Sequence, residues 1–217
     1  MLTGVVSLFA LLSDVPAGYA LLEWGTQTVE LQARITDKEA VGHFKFKNTG
    51  SYPVKILTVS ASCSCTAAVA DKKTIGPGET GEITATLTPG RSEGLSQKVV
   101  TVITDDPSQK NVFLYLNVFI APVLSLDPPY LVWAPEEALM PKTVHVSTGA
   151  TYPVHEVNVT TSNPNVKATI ERLASQREYT VTIVPKATAA RIIALVKVQA
   201  DYPTDRPKVY YVTVHVN

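Results

Sequence analysis

Cysteine is almost absent: the chain has two in 217 residues, Cys63 and Cys65, with one residue between them. There is therefore one possible disulfide, or one thiol pair, and no more. An excess of charge is missing as well, since Lys+Arg and Asp+Glu both number 19 and the formal net charge is zero. Neutrality removes the basic footprint expected of a nucleic-acid binder or of a polybasic membrane surface. No apolar run reaches the roughly 20 residues that a membrane-spanning helix needs. Helical periodicity is missing, and so are the G-x-S-x-G elbow, the H-E-x-x-H pair, the P-loop and the dinucleotide fingerprint. These absences leave no residue to nominate as catalytic and no cofactor site, so the expectation is a protein that is not an enzyme.

What remains is plentiful β signal. Hydrophobic residues make up 45% of the chain, enough for real cores and against disorder. Phe44 and Phe46 alternate with His43, Lys45 and Lys47, and Ile83, Ala85 and Leu87 alternate with Glu82, Thr84 and Thr86. That is the period of two of half-buried strands. Further strands are predicted at 29–35, 54–61, 98–103 and 112–120. The turns are marked by Asn48-Thr49-Gly50, Gly76-Pro77-Gly78-Glu79, Pro89-Gly90 and Asp105-Asp106-Pro107. Pro77-Gly78 suits the central pair of a type II turn.

An internal repeat organises these strands. A shift of 96 places Glu82-x-Thr84-x-Thr86-x-x-Pro89 on Glu178-x-Thr180-x-Thr182-x-x-Pro185, and Asp105-x-Pro107 on Asp201-x-Pro203. A shift of 100 places Tyr52-Pro53-Val54 on Tyr152-Pro153-Val154, and Leu22-Glu23-Trp24 pairs by pattern with Leu131-Val132-Trp133. The expected architecture is all-β, two tandem immunoglobulin-like antiparallel β-sandwich domains over 21–121 and 122–217, joined near Ala121-Pro122. Residues 1–20 read as a signal peptide, with an apolar stretch Val5–Leu12 and small residues Gly18 and Ala20 before the cut, although Met1–Gly4 carries no Lys or Arg. Export to the periplasm or the extracellular space follows as an expectation.

The first repeat resembles the bacterial family known as domain of unknown function 1573. The resemblance rests on Phe44-x-Phe46-x-Asn48-Thr49-Gly50, Pro53-Val54-x-Ile56-x-x-Val59, Ser62-Cys63-Ser64-Cys65-Thr66, Ile75-x-Pro77-Gly78-Glu79 and Val102-x-Thr104-Asp105. It implies an exported immunoglobulin-like domain, related in shape to the Hydin and major-sperm-protein group, over residues 22–121. It implies no activity. The family usually has glycine between the cysteines, where this chain has Ser64.

Cys63 and Cys65 are the candidate site. On a straight strand they would share one face about 6.6 Å apart, too far for an unstrained bond, so a disulfide requires a bent backbone. Three roles stay open: a structural feature of the hairpin, a reactive redox pair, or two ligands of a soft metal that would need others. The second repeat has Ser162-Asn163-Pro164 where the first has Ser62-Cys63-Ser64. His43, His145, His155 and His215 read as surface residues, and Asp105, Asp201 and Asp205 as turn residues rather than calcium ligands. Two functions follow as expectations. One is a non-catalytic exported module that binds an unknown protein or cell-envelope component. The other is a periplasmic thiol-redox or soft-metal protein using Cys63 and Cys65.

Overall fold

The computed structural model describes residues 21–90, 92–186 and 191–217. The signal-peptide segment, 1–20, lies outside the described residues. Among the described residues everything regular is strand, apart from one 3-10 turn at Pro107–Gln109. No helix among the described residues is long and apolar enough to cross a membrane.

In the first repeat β1 (Leu22–Trp24), β3 (Ala40–Asn48), β7 (Thr80–Leu87) and β5 (Thr66–Ala70) form one sheet in the order β1-β3-β7-β5. The facing sheet runs β2-β9-β8-β4-β6, with β2 at Thr28–Ala33, β4 at Val54–Ala61, β6 at Thr74–Ile75, β8 at Gly94–Thr104 and β9 at Asn111–Ile120. In the second repeat β10 (Leu124–Asp127), β12 (Lys142–Thr148), β15 (Glu178–Pro185) and β14 (Val166–Arg172) form the sheet β10-β12-β15-β14. Its counterpart is β11-β17-β16-β13, from Tyr130–Trp133, Val209–Val216, Ile192–Ala200 and Val157–Thr161. The two sets of strand orders are the same, except that β6 has no counterpart. This is an immunoglobulin-like antiparallel sandwich pattern used twice.

The alternation that predicted the strands is the alternation of burial. Along β3 every second residue from Ala40 to Asn48 is buried, and along β15 the buried set is Tyr179, Val181, Ile183 and Pro185. The chain packs into two compact units. The first gathers residues 21–29, Val41–Leu87 and Gln97–Leu116, and the second Glu30–Ala40, Thr88–Ser96 and Asn117–Asn217. Phe44, Ile83, Val100, Val102, Leu114 and Leu116 are among the buried residues of the first. Trp133, Val144, Val181, Ile183, Val196 and Val214 are among those of the second.

The rhyme between Leu22-Glu23-Trp24 and Leu131-Val132-Trp133 does not survive. β1 pairs antiparallel with β3, and the strand in that place in the second repeat is β10, which pairs antiparallel with β12. Trp133 lies instead on β11, which pairs in parallel with β17. A three-letter apolar pattern marks a strand without saying which one it is.

Two tyrosines fix segments inside the second unit. Tyr152 donates its hydroxyl to the Ala121 carbonyl at 2.6 Å and accepts the Ile35 N–H at 3.2 Å. The Tyr210 hydroxyl donates to the Glu93 carboxylate and accepts the N–H groups of Val123 and Leu124, both at 3.1 Å. Burial, reinforced by Glu93, holds the Tyr210 phenol well above its ordinary pKa. A phenol favoured neutral in the fold contributes stability below about pH 10, and that contribution fades as pH rises further. Tyr210→Phe removes one charge-assisted bond and the acceptor of the Leu124 N–H, while the Val123 N–H keeps Glu93 Oε1 at 3.2 Å, for an expected loss of about 2–3 kcal/mol at neutral pH. In a urea titration the gap between variant and wild type should narrow above about pH 10; an unchanged midpoint at neutral pH would sink the assignment.

Candidate functional site

The two cysteines sit neither on a strand nor on a shared strand face. They occupy the corner between β4 and β5, and their Cα atoms are 5.3 Å apart, joined by a disulfide. The bent backbone that a bond requires is thus present. Both side chains are half-buried, with Thr66 Oγ1 at 3.5 Å from Cys63 Sγ and 3.9 Å from Cys65 Sγ. The Thr66 N–H donates to the Cys63 carbonyl at 3.3 Å, closing the corner. Upstream, the Ser62 N–H donates to the Val99 carbonyl at 2.9 Å and the Val99 N–H to Ser62 Oγ at 3.1 Å. Ser64 needs no left-handed backbone, since its φ is not positive.

The second repeat builds the same corner without sulfur. The Ser162 N–H donates to the Leu195 carbonyl at 3.0 Å, the Leu195 N–H to Ser162 Oγ at 2.9 Å, and the Val166 N–H to the Asn163 carbonyl at 3.0 Å. Where the first repeat has a disulfide, Asn163 Oδ1 accepts the Asn165 N–H at 2.9 Å, a local asparagine turn. The corner is therefore common to both repeats, and only its fastening differs. From Val59 to Glu82 the first repeat spends 23 residues where Val159 to Glu178 spends 19, and the extra length lies beyond Thr66, where β6 and its following turn stand, rather than at the cysteines.

A disulfide closing so short a loop removes little freedom from the unfolded chain. The loop-entropy relation gives roughly 1–2 kcal/mol for three residues. Cys63→Ser with Cys65→Ser should therefore stay folded, with a midpoint lower by about that amount; failure to fold would show that the bond carries more than the corner.

The remaining polar candidates also serve turns. Asp105 Oδ1 accepts the Lys55 N–H at 2.7 Å, and the Asp201 carboxylate accepts the His155 N–H at 3.1 Å, matching positions in the two repeats. Asp205 pairs with the adjacent Arg206 at 3.3 Å. His43, His145 and His155 are exposed and His215 is half-buried. No group of three or more His, Cys, Asp or Glu side chains is assembled to hold a metal among the described residues.

Asn48 is the functional-looking residue whose role the sequence hid. It is fully buried, and its Nδ2 donates to the carbonyls of Tyr52 at 2.8 Å and Ile75 at 2.9 Å while its Oδ1 accepts the Gly50 N–H at 2.9 Å. Its backbone N–H donates to the Glu79 carbonyl and its own carbonyl accepts the Gly78 N–H. Gly78 has φ +78° and the Glu79 N–H donates to the Gly76 carbonyl, so Pro77-Gly78 forms the expected type II turn. No positive φ occurs from Asn48 to Gly50. Asparagine is there for its amide, not for a left-handed backbone.

A shallow groove of about 610 Å³ lies on the first unit around Trp24, Phe46 and Gly81. Phe46 fills the space a Gly81 side chain would need, 2.5 Å from where a Cβ would stand. The rim carries Glu23, Asp71 and Glu82 against Lys45, Lys47 and Lys72, a balanced set that favours ligands of neither sign. His43 beside Glu82, at 2.6 Å, holds that carboxyl below the usual carboxylate range.

Every motif of the resemblance now has its place: the buried Phe44 and Phe46, the Asn48 amide, the Pro77-Gly78 turn and the cysteine corner. Residues 22–120 match the family described as protein of unknown function DUF1573. None of the curated proteins matches the chain. Solved structures that resemble it include a protein of unknown function from Porphyromonas gingivalis W83, at 15% identity over 89% of this chain and 99% of that one, TM-score 0.36. A PapD-like domain of human CEP192 matches at 11% identity over 55% of this chain and 97% of its own, TM-score 0.38. Domains 5-6 of the S-layer protein SbsC match at 15% identity over 90% and 98% of the two chains, TM-score 0.31. The DUF1573 match leaves the activity of the segment unassigned.

Proposed function

We propose that this chain is a non-catalytic, exported binding module. Its two tandem domains, 21–121 and 122–217, hold a protein or cell-envelope component in the periplasm or outside the cell. One observation carries the reading: the side chains that looked chemical are engaged in making turns. Cys63 and Cys65 fasten a corner that Asn163 fastens in the second repeat, while Asp105 and Asp201 tie matching backbone positions. What is left for function is surface, and sandwiches of this kind bind through strand edges and end loops.

The test is affinity capture from the native envelope, with wild type beside the Cys63→Ser, Cys65→Ser double variant. A binding module recovers the same specific partner with both. Recovery of nothing specific, under conditions in which control proteins succeed, counts against the reading. A partner lost only with the double variant would return the cysteines to the centre of the function.

A further inference from the structure

β5 ends the sheet β1-β3-β7-β5, so among the described residues one of its sides has no strand beside it. Its sequence, Thr-Ala-Ala-Val-Ala, carries no charge and no large side chain. Ala67 and Val69 point to solvent, Val69 with 61% of its surface exposed. The counterpart strand β14 reads Val-Lys-Ala-Thr-Ile-Glu-Arg, with Lys167, Glu171 and Arg172 exposed. Charges of that sort are how natural sheets protect their edges. In the first repeat Ala67 stands where Lys167 does, and the charges, Asp71 and Lys72, come only after the strand has ended.

The hydrogen-bond register says which groups face outward. The Asp71 N–H donates to the Glu82 carbonyl, and the Glu82 N–H donates to Asp71 Oδ1. Antiparallel pairs alternate between bonded and non-bonded types. With Val69 opposite Thr84 and Ala67 opposite Thr86, those two pairs are the bonded ones. Ala68 and Ala70 therefore turn both their N–H and their carbonyl toward the open side. The Thr66 N–H is already committed to the Cys63 carbonyl.

We infer that β5 pairs antiparallel with β5 of a second molecule about a two-fold axis at Val69, making the chain a weak edge-to-edge dimer. This rests on the binding-module reading and names one partner for its surface. In that register Ala68 lies opposite Ala70 of the other molecule, and four N–H···O bonds satisfy the outward groups of Ala68 and Ala70 in both. Val69 meets its own copy in a non-bonded pair, the type in which side chains come closest. Asp71 falls opposite Ala67 and Lys72 opposite Thr66, so no like charges meet. A five-residue pairing covers little area, which places the association in the transient class.

Sedimentation of the full chain at increasing concentration tests this. Wild type should shift from one molecule to two, and Val69→Lys, which sets two ammonium groups face to face, should abolish the shift. Because Val69 is exposed, near-ultraviolet circular dichroism of the variant should match wild type. Val69→Cys should give a covalent dimer on mild oxidation, whereas Ala67→Cys should not, because Ala67 faces Asp71 in this register. A wild type that stays a single molecule throughout overturns the inference, as does a Val69→Lys variant that still pairs. If wild type is a single molecule and envelope capture recovers a partner that Val69→Lys loses, self-pairing is overturned and the edge belongs to a foreign strand. The binding-module reading would then stand.

Discussion

Asn48→Ala should cost the first unit about 3–5 kcal/mol, since three buried or part-buried backbone groups lose their side-chain partner at once. The variant removes the acceptor for the Gly50 N–H and the donor for the Tyr52 and Ile75 carbonyls. Ile75 and Asn48 are both fully buried, so water does not replace the amide without opening the core. The cost arises because orphaning a buried polar group forfeits its full desolvation penalty, not merely the net value of one bond. Asn48→Asp sharpens the test. It keeps the acceptor for Gly50 but sets a carboxylate oxygen against two carbonyls, so at neutral pH it should be at least as damaging as alanine. Burial beside carbonyls raises the folded-state pKa of such a carboxyl. Stability is then lost as pH rises through that raised value and regained as pH falls below it. Chemical denaturation across pH checks the sign: an aspartate variant that weakens further in acid, relative to alanine, would refute this account.

The same residue shows where sequence reading stops. The strand Val54–Ala61 is legible to the residue, because apolar and polar side chains alternate where one face is buried. Pro77-Gly78 is legible because only one turn type suits that pair. Asn48 reads as a turn residue, and its partners at Tyr52 and Ile75 lie 4 and 27 positions away, out of reach of any local rule. β5 leaves no such trace: an exposed Ala67 and Val69 give no polar beat against the buried side. Tyr52 and Tyr152 align in the repeat, yet the first is 51% exposed and the second 5%. Identical letters in a repeated fold do not imply identical burial. For the candidate site, spacing correctly requires a bent backbone for any bond between Cys63 and Cys65. It does not show that the corner exists independently of sulfur, which becomes visible only when the bonds at Ser62 and Ser162 are laid side by side.

Trp133→Ala carries the other large expected effect, in the second unit. Trp133 has no exposed surface and is the largest fully buried side chain of the chain's described residues. Its Nε1 donates to the Met140 carbonyl at 3.0 Å, and the Lys142 ammonium lies 4.9 Å from the ring centroid while pairing with Glu137 at 2.7 Å. Truncation removes the transfer energy of the ring and leaves a cavity that rigid strands close only in part. Such changes typically cost about 3–5 kcal/mol. Trp133→Phe keeps most of the apolar volume but orphans the Met140 carbonyl and weakens the contact with Lys142, for a smaller loss of about 1–3 kcal/mol. Fluorescence makes the comparison direct, because the only other tryptophan is Trp24, which is half-buried against Phe46 at 4.7 Å. Wild-type emission should lose its bluest component in either Trp133 variant, and the urea midpoint of the second unit should fall in the order wild type, phenylalanine, alanine. Equal midpoints for the two variants would mean that ring volume contributes nothing, and the cavity argument for Trp133 would fail.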